Sequence, residues 1–211
     1  MICKRKGIRV NVSFHSMKAV QNDCRLWAKE IGEEFKPDAI VFLEKSGFLF
    51  ARPLAEELGC PLYSVLVERP GNKAKDAIKK KLPYIPKFLL ALALKSKSMY
   101  AYNEGNTKRL TITNARFDSA PLDKCKRVLL VDDSVDTGWS ILAAKKLVQD
   151  MASNADVRIA SYCVIDYSRR RVEVDYERRR NAIVMTATSR YSPEHDLFLK
   201  ELDAWKSSFK H

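Results

Sequence analysis

The sequence has 211 residues, 46% hydrophobic and 30% charged, a balance that excludes disordered and fibrous classes and allows a substantial core. Its 38 Lys and Arg against 26 Asp and Glu give a net charge of +12, which favours anionic partners without choosing among metabolites, nucleic acid and acidic membrane. Five cysteines at wide spacing, with no CxxC pair, fit free thiols in a reducing cytoplasm better than disulfides or a zinc site.

The amino-terminal MICKRKGIRVNVSF lacks a signal-length apolar run, and no stretch reaches the ~20 apolar residues of a membrane span. A cytoplasmic protein is expected. Val10, Val12 and Phe14 alternate as in a short strand, and Val20, Cys24, Trp27, Ala28, Ile31 and Phe35 recur at helical spacing. Together these predict a helix over residues 16–35, ended before Pro37, with Trp27 in the core. DAIVFL, residues 38–43, reads as a buried strand. A polar turn, Glu44-Lys45-Ser46-Gly47, a helix over 48–58 closed by Gly59, and a strand over 61–67 complete a βαβ unit. Such units form parallel strands with right-handed crossovers, and ligands gather beyond the carboxyl ends of those strands.

Residues 68–122 interrupt this alternation. They open with Glu68-Arg69-Pro70-Gly71, pass through Lys73, Lys75, Lys79, Lys80 and Lys81, and include an inserted stretch at about 78–102 that contains FLLALAL, residues 88–94. That heptapeptide is too short to cross a bilayer and suits a hood helix, a dimer contact or an interfacial helix, so peripheral membrane contact stays open. Leu110, Ile112 and Asn114 alternate within a strand candidate over 107–117.

VLLVDDSVDTGWS, residues 128–140, is the most informative stretch. Four apolar residues make a buried strand, Asp132 and Asp133 stand at its expected end, and a helix follows from about Ser140 to Met151. Asp136, Thr137, Gly138 and Ser140 supply a tight turn and capping groups, so backbone N–H groups can converge on an anion. Two carboxylates would repel that anion and suit hydroxyls or a divalent cation instead. A ribose 5-phosphate satisfies both halves. Further strands are expected over 157–165 and 182–187, with an alternating segment at 172–176 between Arg169-Arg170-Arg171 and Arg178-Arg179-Arg180. These basic runs lack an interleaved aromatic platform, which favours a solvated face or dimer rim over a nucleic-acid surface. A terminal helix after Pro193 carries Leu197, Leu199, Leu202 and Trp205, and the loop 189–192 before it could border an acceptor.

Residues 128–140 resemble the 5-phosphoribosyl 1-pyrophosphate (PRPP) motif of type I phosphoribosyltransferases: apolar strand, acidic pair, two variable positions, a small or acidic residue, then Thr, Gly, any residue, and Ser or Thr. The resemblance implies an α/β fold with a central parallel sheet flanked by helices and a small hood, in one domain over 1–211. It makes 68–122 a lid with a flexible, partly helical insertion. It also implies a magnesium-dependent transfer of phosphoribosyl from PRPP to a small-molecule acceptor base with release of pyrophosphate, in a homodimer.

On the same resemblance, Asp132 and Asp133 hold the ribose hydroxyls, directly or through magnesium and water, and stabilise the developing cationic ring. Asp136, Thr137, Gly138, Trp139 and Ser140 surround the 5-phosphate, mainly through backbone N–H groups, with Trp139 itself given to packing. Lys45, Ser46 and Gly47 bind the pyrophosphate, joined by Arg69 and Lys73 on the lid. RPGNKAKD, residues 69–76, looks most like the lid of orotate enzymes, whereas Asp136 is the acid that 6-oxopurine enzymes use to handle the base's proton. The group inside the site decides for purine salvage, with Asp136, Asp132 and Asp133 as the catalytic set. An orotate-like or unusual acceptor, or a PRPP-binding regulator without turnover, are the alternatives.

Overall fold

A computed structural model describes residues 2–5, 8–68, 111–116 and 122–208. Most of the lysine-rich stretch after Glu68, including Arg69, Lys73 and FLLALAL, lies outside the described residues. The elements in chain order are β1 (Ile2–Arg5), β2 (Ile8–Phe14), α1 (Met17–Glu34), β3 (Ala39–Leu43), α2 (Phe48–Leu58) and β4 (Leu62–Glu68). They continue with β5 (Thr111–Arg116), β6 (Arg127–Val135), α3 (Trp139–Met151), β7 (Asp156–Val164), β8 (Tyr176–Arg180), β9 (Ala182–Met185) and α4 (His195–Ser207).

The main sheet has the order β5-β4-β3-β6-β7-β8. Its last five strands are mutually parallel, and β5 pairs antiparallel with β4 at one edge. The strand candidate over 107–117 is therefore an antiparallel edge strand. A second, three-stranded sheet, β1-β2-β9, forms the small hood, with β2 and β9 parallel.

The sheet is covered on both faces, which explains its continuous apolar strands. On one face α1, α2 and α4 bury Trp27, Ile31, Phe48, Leu54, Phe198 and Leu202 against Ile40, Phe42, Leu129, Val131 and Tyr162. On the other, α3 buries Ile141, Ala144 and Val148 against Val41, Val128, Leu130 and Ile159. Helix α1 starts at an N-cap Ser16 whose Oγ accepts from the Ala19 N–H, and α2 stops at Gly59, whose φ of 66° is the left-handed conformation that glycine takes without a Cβ penalty.

Two stretches depart from expectation. Of the alternating segment 172–176 only Tyr176 is in a strand, the first residue of the arginine-rich YERRR of β8. Its arginines are partly solvated, Arg180 most of all, and each is also ion-paired. Arg178 Nη2 donates to Asp23 Oδ1 at 2.7 Å and Arg180 Nε to Asp166 Oδ1 at 2.7 Å, while the Tyr162 hydroxyl donates to Asp23 Oδ2 at 2.6 Å. These partners lie far away in sequence and anchor β8 to α1 and to the end of β7. In α4 the buried face is Phe198 and Leu202, whereas Leu197 and Leu199 are exposed. The i, i+4 stripe begins at the aromatic residue because Phe198 meets Phe48 across the interface, with ring centroids 6.4 Å apart.

Candidate active site

The site exists because two neighbouring strands end at different heights. β3 pairs with β6 only as far as Phe42 opposite Val131. β3 then ends at Leu43 and turns away through residues 44–47, while β6 continues to Val135, paired on its other side with β7 through Val135 opposite Val164. The carboxylates therefore do not stand past the strand end, as the loss of apolar residues implied. They lie within a strand extension whose edge towards β3 is open. Chain direction also switches here, because α2 leads from β3 to β4 on one side and β6 returns on the other, the place where open parallel sheets bind ligands.

A cleft of about 290 Å³ fills the gap, lined by Leu43, Glu44 and Ser46 of the turn, Asp132–Val135 of the strand, and Asp136–Gly138, Ser140 and Ile141 of the loop and helix start. The carboxylates, the loop and part of the turn are thus brought together as the sequence implied. Gly138 is the N-cap of α3, with φ of 85° and no side-chain capping bond. The helix's first-turn amides lack intrahelical partners, and the cap residue offers no side chain to take one. An anion is the natural complement. Asp136 is thus not the cap residue. Its Oδ1 accepts from the Ser134 hydroxyl at 2.7 Å, which holds the carboxylate at the cleft.

Asp132 is buried, and its Oδ1 accepts from the Asp133 N–H at 2.9 Å. Burial first, and then the charge of Asp133 beside it, hold the Asp132 carboxyl well above the usual carboxylate range. Burial also raises Asp133, opposed by hydrogen bonds with Asp132 and the Ser46 hydroxyl. Crowding of the two carboxyls concentrates negative charge that their hydrogen donors, the Asp133 N–H and the Ser46 hydroxyl, offset only in part. Ribose hydroxyls or a hydrated magnesium ion supply what the pair lacks, so the residues fit that ion as an indirectly held companion of the ligand.

The turn combines two functions. The Glu44–Lys45 peptide bond is cis. Lys45 is exposed and does not line the cleft, while Gly47 is buried against backbone: a Cβ there would lie 2.5 Å from Leu43 O and 3.3 Å from Val131 O. Glu44 lines the cleft and is tied to residues distant in sequence. Its carboxylate accepts from the Ser64 hydroxyl at 2.7 Å and from Lys206 Nζ at 3.0 Å. Trp205, one residue before that lysine, packs on Phe42 and Phe48 with centroids 5.0 and 5.5 Å away, so the end of α4 roofs the turn. Ser64, Lys206 and Ser134 carry no motif signal; only the fold brings them to the site.

Trp139 is 37% exposed and stacks on Arg171, the guanidinium carbon 5.1 Å from the ring centroid. Among the described residues no helix is long and apolar enough to cross a membrane.

The loop 136–138 and the acidic pair thus lie together in one cleft at the switch point of an open, largely parallel sheet. The sequence profile of the phosphoribosyl transferase domain matches residues 13–186, and the chain belongs to that family, in its type I form. It is 28% identical over 149 residues to adenine phosphoribosyltransferase of Nitrosomonas eutropha, covering 68% of this chain and 71% of that protein. The solved purine phosphoribosyltransferase from Pyrococcus horikoshii superposes with a TM-score of 0.56 at 20% identity, over 84% of this chain and 93% of that one. Helicobacter pylori xanthine-guanine-hypoxanthine phosphoribosyltransferase gives 0.53 at 17% identity, over 92% and 99%. At these identities the two structures speak for the fold.

Proposed function

We propose that the protein transfers the 5-phosphoribosyl group of PRPP to a purine base and releases pyrophosphate. The observation that carries this reading is the convergence, in one cleft, of the acidic pair Asp132–Asp133, the loop 136–140 and the turn residue Ser46. The named relatives, an adenine enzyme and purine-using enzymes, support a purine acceptor.

The bond from the anomeric carbon to the pyrophosphate oxygen breaks as the bond to the acceptor nitrogen forms, and positive charge develops on the ribose ring. The loop's N–H groups, with the Thr137 and Ser140 hydroxyls, hold the 5-phosphate and thereby fix the ring against rotation. Asp132 and Asp133 accept hydrogen bonds from the ribose hydroxyls, and their negative charge grows in value as the ring becomes cationic. Lys45, Ser46 and Gly47 attend the departing pyrophosphate, with Arg69 and Lys73 contributing from the lysine-rich stretch. Asp132 and Asp133 would hold a magnesium ion through water, and the ion when bound would supply charge neutralisation on the diphosphate. Asp136, fixed by Ser134, takes the proton from the acceptor nitrogen.

The test is pyrophosphate release from PRPP and magnesium with adenine, hypoxanthine, guanine, xanthine and orotate in turn. Turnover with a purine is expected, with Asp136→Asn lowering kcat by about 100-fold while leaving PRPP binding near that of the parent. Turnover with orotate alone would overturn the purine assignment. Tight PRPP binding without turnover on any acceptor would make the protein a PRPP-binding regulator.

A further inference from the structure

Arg171 lies behind the loop at the start of α3. Its Nη1 donates to the Thr137 carbonyl at 3.5 Å, and its guanidinium stacks on Trp139 and Tyr167, 5.1 and 5.3 Å from the ring centroids. Gly138 also packs against the side chains of Val172 and Arg171. A Cβ on Gly138 would meet Val172 Cγ1 at 2.8 Å and Arg171 Cβ at 3.6 Å. Trp139 and Arg171, read from the sequence as packing and solvated face, are therefore one unit attached to the loop.

The consequence follows from the planarity of the peptide. The Thr137 carbonyl and the Gly138 N–H belong to one trans peptide unit and point to opposite sides of it. A donor fixed on the carbonyl from behind sets the direction of the amide in front. Glycine at 138 leaves this peptide without a Cβ to oppose rotation, so an external group has to hold it. We infer that Arg171, held between Trp139 and Tyr167, is a positioning residue that aims the Gly138 amide at the 5-phosphate. This rests on the assignment of the loop as the 5-phosphate site.

The experiment uses two probes that divide the ligand: ribose 5-phosphate for the loop, and magnesium pyrophosphate for the turn. Calorimetric titrations of the parent, Arg171→Ala and Arg171→Lys are made at about 0.1 M and about 0.5 M salt, where a simple surface charge effect is screened out. Arg171→Ala is expected to weaken ribose 5-phosphate by about tenfold at both salt concentrations, with pyrophosphate unchanged. Arg171→Lys keeps the charge but loses the planar group that stacks, so it is expected to show a similar loss. It also decides the matter if the alanine variant fails to fold. Parent-like binding by the lysine variant, equal loss of both probes, or a loss that disappears at the higher salt would overturn the inference. A parent that binds neither probe would refute the loop's assignment and the inference with it, whereas a parent that binds beside an unchanged Arg171→Ala would refute the inference alone.

Discussion

Gly47→Ala tests the packing that brings the turn to the cleft. The φ of Gly47 is −56°, which alanine adopts freely, so no backbone strain enters. The obstacle is space. The new methyl would sit 2.5 Å from Leu43 O, 3.2 Å from Leu43 N and 3.3 Å from Val131 O, all main-chain atoms, at the end of β3 and within β6. None can swing aside as a side chain can, and the Leu43 carbonyl already accepts from the Gly47 N–H at 3.1 Å. Overpacking costs about 1–3 kcal/mol and weakening that hydrogen bond about 1 kcal/mol, while reduced chain freedom in the unfolded state offsets about 0.4–1 kcal/mol. The net loss is about 2 kcal/mol, or about 4–8 °C in melting temperature for a chain of this size.

Gly32→Ala provides the control. There the added methyl meets only Leu58 Cδ2, at 2.9 Å, the end of a side chain that can move. Inside α1 alanine gains about 1 kcal/mol of helix propensity, so this variant is expected to be neutral or slightly more stable. Urea denaturation of both variants measures the stabilities, and titration with magnesium pyrophosphate measures the turn, where Gly47→Ala should cost at least about tenfold in affinity. Equal stability of the two variants, with undiminished pyrophosphate binding by Gly47→Ala, would refute the account of the turn.

Two further predictions concern charge. Asp132 and Asp133 bind protons more tightly in the folded protein than in the unfolded chain, so between the ordinary carboxylate range and their raised values the folded state carries the excess protons. Their contribution to stability therefore falls as pH rises through that window. Relative to the parent, Asp132→Asn should gain stability in melting experiments as pH rises above the ordinary carboxylate range, while losing PRPP binding. A difference that shrinks with rising pH would contradict this. Lys206→Met removes the cation from Glu44, whose side chain is 5% exposed against 20% for the lysine. Breaking a buried pair from one side costs about 3–5 kcal/mol, reduced here to about 1–3 kcal/mol by the lysine's partial exposure. Adding Glu44→Gln should recover most of the loss in urea denaturation, and a double variant as unstable as the single one would show that the pairing does not matter.

What the sequence revealed and what it concealed differ by the range of the interactions involved. The strand, turn and helix of residues 128–140 are contiguous, and their meaning lies in residue types at fixed offsets, so Asp132, Asp133 and Gly138 were all legible. The same holds for α1, where a stripe of Val20, Cys24, Trp27 and Ile31 announces its buried face. β8 was not legible, because YERRR has no apolar alternation. It is a strand because β7 offers a free edge, and because Asp23 and Asp166 neutralise arginines that would otherwise repel one another. The partners of Glu44 were not legible for a related reason, since Ser64 and Lys206 come from β4 and α4.

The extent of β6 shows how such a concealed feature produces function. Apolar patterning ends at Val131 because only up to there is the strand enclosed by neighbours on both edges, with β3 paired at Phe42 and β7 at Ala160. Backbone pairing with β7 alone carries the chain through Asp132, Asp133 and Ser134, and a ladder of that kind makes no demand for apolar side chains. The polarity that seemed to mark a strand end marks instead the loss of one neighbour. Four residues of one-sided strand form one wall of the cleft, and the turn that replaces β3 forms the other. The ladder with β7 places the acidic pair, and the loop that ends at the N-cap Gly138 follows it at once. On the proposed function the laddered half carries the carboxylates that meet the ribose hydroxyls, while the loop after it is met from behind by Arg171.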